Sequence, residues 1–256
     1  WVAKTGLDAQ QTRMTVIANN LANVNTTGFK RDRATFEDLL YQNVKQGGAQ
    51  TSADTAAPTG LLLGTGTRVV ATEKLHAQGN IIQTQNAFDV AISGEGFFQI
   101  LQPDGTLAYS RDGGFKISAE GVLVNSSGYR LQPELAIPQN AQTVTIGADG
   151  TVSIQTFGEA AAQTIGQIQV ARFLNPSGLQ AIGENLFRET SSSGPPQVGI
   201  PTQQGNGQLI QGALESSNVN VVEEMVNMIE TQRAYEVNSK AIDSVNSMLQ
   251  YANNNL

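Results

Sequence analysis

The sequence predicts an α+β fold with a discontinuous helical coiled-coil domain formed by the N- and C-terminal helices, a central all-β module and an extended connector. Apolar residues recur at spacings of three and four near both ends of the chain, which indicates helices. Between them, short β-favouring runs alternate with turn signals, which indicates hairpins. The predicted domains are residues 1–27 and 217–256 for the helices, 28–68 for the connector and 69–216 for the β module.

The first helix is predicted from a heptad-like series of apolar or small residues that Gln10 interrupts. It should end at about residue 26, because Gly28 favours a left-handed cap and the Asn and Thr residues before it compete for helical hydrogen bonds. The series consists of Ala3, Leu7, Met14, Ile17, Leu21 and Val24.

The interior changes pattern twice. Residues 43–67 are rich in Gly, Ala, Thr, Ser and Gln without sustained periodicity, which predicts the extended connector. From about residue 69 to residue 211, hairpin turns are predicted at the Asp-Gly pairs that begin at Asp104, Asp112 and Asp149. The predicted strands cover residues 97–101, 107–110, 115–117, 121–124, 129–131, 144–146, 152–154, 165–173 and 185–189.

A second, longer helix is predicted from Val221 to the Asn-rich terminus, about 33 residues or roughly 50 Å. Asn220 and Glu223 have the spacing of a capping box. Apolar residues recur every seven positions from Val221 to Leu249, yet further apolar residues lie on other faces of the same helix. Several neighbouring helices would bury these faces, whereas a single amphipathic helix lying on its own domain is the alternative.

The broad apolar surface of the two terminal helices predicts that copies of the chain assemble. Both termini are predicted to become fully helical only when subunits stack. The predicted subunit-interface residues are Leu7, Met14, Ile17, Asn20, Leu21, Val24, Val221, Met225, Met228, Ile229, Tyr235, Ile242, Val245 and Leu249.

Composition argues against several classes of partner. The charged fraction is 14% and the formal charge is −7, which disfavours nucleic acid. The densest basic run, residues 30–33, is interpreted as a solvated face. No apolar run approaches the roughly 20 residues that span a bilayer, so membrane insertion is not expected. The chain starts at Trp1 and not at Met, so its native start is expected to lie upstream.

The residues for enzymatic chemistry are sparse. Cysteine is absent and His76 is the single histidine, so neither a Cys nucleophile nor a multi-histidine metal site is available. His76 is interpreted as a structural or exposed residue. We therefore predict a protein that is not an enzyme and that needs no cofactor or metal. The alternative is a β module that binds a ligand or catalyses a reaction and is tethered by coiled-coil ends.

Five segments carry a family resemblance. Residues 7–11 (LDAQQ) and 17–30 (IANNLANVNTTGFK) closely resemble the N-terminal signature of flagellar axial proteins, the rod and hook family. Residues 217–220 and 225–236 (MVNMIETQRAYE) resemble its C-terminal signature, and residues 89–98 (DVAISGEGFF) are similar to its β-domain opening. Further segments, residues 36–42, 64–66 and 71–76, are most similar to subunits of the distal rod.

The resemblance implies a structural subunit that self-assembles into a rigid helical tube and transmits motor torque to the hook. It implies export by the flagellar type III apparatus and contact with the proximal rod, the hook and the surrounding basal-body rings. It also implies a location in the basal body, in a rod that crosses the periplasm and the outer-membrane rings. A proximal-rod or hook subunit of the same family is the alternative.

Overall fold

The computed structural model describes residues 2–45, 50–52, 55–56, 59–156 and 161–254. The chain forms two compact units. The helical unit consists of Trp1–Ala22, Asp32–Glu73 and Asn220–Leu256, and the β unit of Asn23–Arg31 and Lys74–Val219. This division groups much of the predicted connector with the helices, although the predicted domain boundaries followed composition and stay a prediction.

Two helices belong to the helical unit, α1 (Val2–Ala22) and α2 (Val221–Asn254). They pack against each other, as expected for the two ends of the chain. α1 ends about four residues before its predicted end, because Asn23 starts a turn in which its carbonyl accepts the Thr26 N–H at 3.2 Å. α2 begins at the predicted residue, and Asn220 Oδ1 caps it by accepting the Val222 N–H at 3.1 Å.

The described part of the connector is extended, as predicted, but it is paired into short ladders. Strands β1 and β6 pair with each other, β2 with β5, and β3 with β4. Residues 46–49, 53–54 and 57–58 of the predicted connector lie outside the described residues. The bounds are β1 (Asp32–Asp38), β2 (Gln42–Lys45), β3 (Gln50–Ser52), β4 (Thr55–Ala56), β5 (Leu61–Leu63) and β6 (Thr67–Lys74).

The β unit contains the predicted strands, which confirms the all-β module. Its strands are β7 (Ile81–Gln83), β8 (Val90–Ser93), β9 (Phe97–Leu101), β10 (Leu107–Ser110), β11 (Lys116–Ile117), β12 (Leu123–Val124), β13 (Arg130–Gln132), β14 (Ala141–Ile146), β15 (Thr151–Thr156), β16 (Gln163–Gln167), β17 (Val170–Arg172), β18 (Gln180–Gly183), β19 (Leu186–Arg188), β20 (Gln197–Gly199), β21 (Gln208–Gln211) and β22 (Ala213–Glu215). A 3-10 turn, Pro176–Gly178, follows β17. Asp104-Gly105 and Asp149-Gly150 connect paired strands, as predicted. The predicted hairpin turn at Asp112-Gly113 was wrong, because β10 pairs with β9 and β19 while β11 pairs with β12.

The largest sheet among the described residues has nine strands and is organised around β9. Strand β9 pairs antiparallel with β10 and β13, and its first residues also pair with β17. Strands β14, β15 and β16 form a separate three-stranded sheet. The last two strands return to the first two of the unit: β21 pairs with β8, and β22 pairs with β7. Residues at the two ends of the unit's sequence therefore meet in space.

Neighbouring residues of β9 lie in two different cores, because successive side chains of a strand point to opposite faces of the sheet. Phe98 belongs to the main apolar cluster and packs edge-on against Phe115, with ring centroids 5.0 Å apart. Phe97 belongs to a second, aromatic cluster with Tyr109 and Phe187. Both faces of this strand are covered, which explains its continuous apolar sequence.

Candidate functional site

The predicted interface residues of the N-terminal segment are not freely exposed. Ile17 and Asn20 are buried. Asn20 Nδ2 donates to the Asp32 carbonyl at 2.9 Å, and its Oδ1 accepts the Asp32 N–H at 2.8 Å, so this amide fastens α1 to β1. The other predicted residues of this segment are half-buried: Leu7, Met14, Leu21 and Val24.

The predicted interface residues of α2 fall into two groups. Met228 and Ile242 are half-buried. The remaining six are exposed: Val221, Met225, Ile229, Tyr235, Val245 and Leu249. The apolar seven-residue series therefore alternates between the two environments along the helix.

The face of α2 that turns inward is mainly polar. Glu224 and Thr231 are buried at 3% and 1% relative exposure, seven positions apart. Asn227 Oδ1 accepts a hydrogen bond from Arg13 of α1 at 3.5 Å. The backbone of α1 also comes close at Gly6, where an added Cβ would lie 3.3 Å from Asn238 Nδ2. The contact between the two helices thus uses polar and small residues, which leaves much of the apolar surface outside.

That outside surface includes two apolar patches on α2. The first apolar patch covers an arc of about 100° and consists of Val222, Met225, Val226 and Ile229, all at least half exposed. The second apolar patch consists of Val245, Met248, Leu249 and Tyr251, and all four side chains are between 53% and 75% exposed. Residues 243–253 are exposed without interruption, because α1 has 21 residues and α2 has 34.

The connector carries a third exposed apolar surface. Leu40 and Tyr41, just before β2, are 89% and 57% exposed, and Leu62 of β5 is 59% exposed. Strands β2 and β5 form a two-stranded sheet. A two-stranded ribbon is marginal by itself in water. These side chains therefore add to the surface that a neighbour could cover.

A buried group of three charged side chains lies in the β unit, and we call it the ionic cluster: Lys30, Arg111 and Glu215. Lys30 Nζ lies 2.6 Å from Glu215 Oε1, and Arg111 Nε lies 2.8 Å from Glu215 Oε2. The three side chains are at most 4% exposed. The interpretation of residues 30–33 as a solvated face was therefore wrong for Lys30, because a carboxylate distant in sequence pairs with it.

Backbone groups complete the ionic cluster. Arg111 donates to the carbonyls of Gly96 at 2.6 Å and Gly94 at 2.9 Å, and Lys30 donates to the Ala77 carbonyl at 2.8 Å. Burial lowers the pKa of the Lys30 ammonium, while the charge of Glu215 raises it and that of Arg111 lowers it. The cluster contains two cations and one carboxylate, so the carbonyl dipoles share the task of stabilising the extra positive charge.

The cluster joins the segments that follow α1 and precede α2. The Gly28 N–H donates to the Glu215 carbonyl at 2.8 Å, and the Arg31 N–H donates to Asn218 Oδ1 at 2.7 Å. Gly28 has φ +68°, and a Cβ there would lie 2.7 Å from the Asp112 nitrogen, so only glycine fits without a shift. Sequence reasoning missed this cluster, although Ala213 and Glu215 alternate on the buried face of β22.

His76 lies beside the ionic cluster in the β unit. Its ring contacts those of Phe97 and Phe187 edge-on, with centroids 5.5 Å apart in each case. Burial and the nearby positive charges of Lys30, Arg111 and Lys74 lower the pKa of His76 to about 4. A cavity of about 370 Å³ lies next to it, lined mainly by Phe97, Phe173, Arg172 and backbone of residues 94–96.

The described residues contain neither a metal-binding group nor a membrane-spanning helix. No group of three or more His, Asp or Glu side chains in the described part of the chain could hold a metal ion. Among the helices described, none combines the length and the apolar character needed to cross a membrane.

Three family models match the start, the middle and the end of the chain. The model described as flagella basal body rod protein matches residues 2–30. The flagellar hook protein FlgE/F/G D1 domain matches residues 91–154, and the C-terminal model of the flagellar basal body rod FlgEFG proteins matches residues 210–255. A helix at each end and a β module between them, with these matches, define a structural protein of the flagellar axis.

Full-length relatives narrow this class. The chain is 54% identical over 98% of its length to the flagellar basal-body rod protein FlgG of Buchnera aphidicola subsp. Schizaphis graminum, with 96% of that protein covered. It is 49% identical over 99% of its length to the FlgG of Borreliella burgdorferi, with 97% covered, and 45% identical over 97% to that of Caulobacter vibrioides, with 95% covered. The chain belongs to the FlgG family of flagellar basal-body rod proteins.

Family membership confirms the prediction of a structural subunit of the flagellar distal rod, located in the rod of the basal body. The proximal-rod and hook alternatives are not favoured, since these full-length relatives are rod proteins of the FlgG type. Assembly with other axial and basal-body proteins follows from membership in the rod family.

Proposed function

We propose that α1 and α2 pack with the same helices of neighbouring copies, in a coiled-coil-like bundle, and that the copies stack into a rigid helical tube. The proposed contact set is the predicted interface residues together with the two apolar patches. The proposed axial core consists of residues 1–27 and 217–256, with residues 28–68 as the connector between neighbours. Torque from the motor would pass through this tube to the hook.

The observation that carries the proposal is the exposed apolar surface of α2. Burying the exposed half of a Val, Leu or Met side chain contributes about 1 to 2 kcal/mol. The two apolar patches together hold six exposed Val, Leu and Met residues, besides Ile229 and Tyr251, so their burial is the available driving force for association. The second apolar patch spans about 160° of the helix surface at 100° per residue, so at least two neighbouring helices are needed to cover it.

Helix formation at the end of α2 is part of the same proposal. Residues 243–253 are exposed, and isolated helical segments of this length are marginal in water. We infer that this end is helical mainly in the assembly, where neighbours bury the second apolar patch. Circular dichroism of the free subunit and of the assembled tube measures the change: helicity per residue should rise on assembly. Equal helicity in both states would contradict this part of the proposal.

The proposal includes partners beyond the chain's own copies. Export through the flagellar type III apparatus suits a chain without cysteine, whose folding needs no oxidant. Contact with the proximal rod, the hook and the outer-membrane rings would follow from a tube that crosses the periplasm. We infer that the protein acts as a structural component and not as an enzyme, because its relatives are rod proteins.

A charge in the first apolar patch tests the proposal. Val226→Asp should reduce the fraction of protein that sediments as polymer by at least about tenfold, because the carboxylate loses its hydration when the patch is covered. Val226→Leu is the matched control and should assemble normally. Val226 is half exposed, so neither variant should change the denaturation midpoint of the free subunit. Normal assembly of the Asp variant would contradict the proposal.

Crosslinking with a long bifunctional maleimide offers a second test in cells, since the chain has no native cysteine. Val226→Cys should give crosslinked copies because the first apolar patch lies between subunits, and a long linker does not require two copies of residue 226 to touch. Thr143→Cys, at an exposed position of β14, is the control and should crosslink less. Equal crosslinking at both positions would show that α2 is not the preferred contact.

A further inference from the structure

The two buried cations of the ionic cluster share one acidic partner. Among the described residues, the ion pairs of Lys30 and Arg111 both go to Glu215, at 2.6 Å and 2.8 Å. The Gly79 N–H also donates to Glu215 Oε1 at 2.8 Å, so backbone of the segment before β7 is attached to the same carboxylate. Without Glu215, two cations would be enclosed in the β unit with only carbonyl dipoles to stabilise them.

These three side chains come from distant parts of the chain. Lys30 and Glu215 are 185 positions apart, and Arg111 and Glu215 are 104 positions apart. Glu215 ends β22, the last strand of the unit. A chain emerges from its N-terminus, so Lys30 and Arg111 are present long before the carboxylate that allows their burial.

The same late segment also closes the apolar core. Leu209 of β21 is buried in the main apolar cluster, and β21 and β22 complete the pairing of β8 and β7. The pairing of β21 and β22 is therefore one reason for the β unit to close late. The charge of Glu215, which pairs with Lys30 and Arg111, is a second and stronger reason. Enclosing an unpaired ammonium or guanidinium is more costly than leaving an edge strand unpaired, because an edge can still bind water.

We propose that Glu215 acts as the closing residue of the β unit: the unit stays open until this carboxylate reaches Lys30 and Arg111, so that folding is coupled to the emergence of the C-terminal segment. A partly emerged chain then remains extended and able to pass through a narrow channel. This inference concerns the order of folding, and it holds whether or not the proposed tube contacts are correct.

Pulse-labelled hydrogen exchange during refolding of the full chain tests the order. After dilution from denaturant, the Phe98 and Tyr109 amides of β9 and β10 should gain protection in the same kinetic phase as the Leu209 amide of β21. Protection of Phe98 and Tyr109 in an earlier phase, while Leu209 still exchanges, would overturn the proposal. This measurement uses the unaltered protein and does not depend on whether any variant folds.

A charge-free variant separates the effect of the carboxylate from that of strand pairing. In Lys30→Met/Arg111→Gln/Glu215→Gln the buried charges are gone, while the amide of residue 111 can still donate to a carbonyl. Protection of Phe98 should now precede that of Leu209 by at least about tenfold in rate, because no unpaired charge delays closure. The control variant Arg130→Met, in an exposed ion pair, should keep the original order. If the charge-free variant also keeps that order, strand pairing and not Glu215 closes the unit.

Discussion

Replacing Glu215 by glutamine should destabilise the β unit more than replacing either cation. Glu215→Gln leaves Lys30 and Arg111 buried without a carboxylate, and its new amide N–H groups face existing donors. Lys30→Met instead leaves a neutral one-to-one pair of Arg111 with Glu215. Both variants remove the 2.6 Å contact between Lys30 Nζ and Glu215 Oε1. Any difference between their free energies of unfolding therefore reports the unpaired positive charge that remains in Glu215→Gln.

The burial and contacts of the ionic cluster give approximate changes in the free energy of unfolding for both variants. Breaking a buried ion pair by removing one partner costs about 3 to 5 kcal/mol, and Glu215→Gln belongs to this class because Lys30 and Arg111 are at most 4% exposed. Lys30→Met leaves Glu215 paired with Arg111, and the Ala77 carbonyl keeps the Asn218 amide, 3.0 Å away, as a donor, so the loss of the Lys30 hydrogen bonds costs about 1 to 3 kcal/mol. In a domain of this size, 3 to 5 kcal/mol corresponds to a fall in Tm of roughly 6 to 20 °C.

Urea denaturation of the full-length variants is the assay. All variants carry Phe in place of the helical unit's fluorophores Trp1, Tyr41, Tyr235 and Tyr251, so that tyrosine fluorescence reports the β unit, chiefly through the buried Tyr109. Far-UV circular dichroism at the helical minimum reports α1 and α2. The exposed pair of Arg130 with Glu120 and Glu134 supplies the control, and Arg130→Met should leave the tyrosine midpoint unchanged. A midpoint for Glu215→Gln equal to or higher than that for Lys30→Met would refute the reasoning from unpaired charge.

Three further predictions concern other buried or capping groups. The pKa of His76 is depressed to about 4 from an ordinary 6.5, so the unfolded chain binds the proton more tightly than the folded chain does. The free energy of unfolding should therefore fall as the pH drops from 6.5 towards 4, and it should level off below pH 4. His76→Phe keeps an aromatic ring between Phe97 and Phe187. Between pH 7 and pH 4.5, measured by urea denaturation, this variant should lose about 2 to 3 kcal/mol less free energy of unfolding than the unaltered protein. The same pH dependence in both proteins would contradict a buried neutral imidazole. Asn20→Leu should cost about 1 to 3 kcal/mol, because it removes the two hydrogen bonds between the Asn20 amide and the Asp32 backbone. A tolerated substitution, measured by the dichroism midpoint, would argue that α1 is not fastened to β1 by this amide. Asn220→Ala should cost about 1 kcal/mol in the same measurement, with Asn220→Asp as the cap-preserving control, and equal midpoints for the two would show that the cap does not stabilise α2.

Local patterns predicted both helices and the strands β9 to β17 and β19, but not β1 to β8, β18 or β20 to β22. The start of α2 at Val221 follows from Asn220 and the periodic residues after it, since a cap and its first turn are only a few residues apart. The hairpin strands on both sides of Asp149-Gly150 were found for the same reason. The end of α1 was predicted too late, because the Asn23–Thr26 turn competes with helix and the sequence pattern continued through it.

The sequence by itself determined the helices at both ends, the hairpin module between them and the family to which the chain is similar, because these depend on neighbouring residues or contiguous motifs. Only the tertiary structure revealed that Lys30 is buried, that Glu224 and Thr231 turn inward and that Val226 stays outside. A buried charge is stable only beside its partner, and the partner of Lys30 lies 185 positions away. Local sequence patterns cover only a few neighbouring residues, so they could not predict this pair. The ionic cluster was found only in the structure, where the two ends of the β unit's sequence meet.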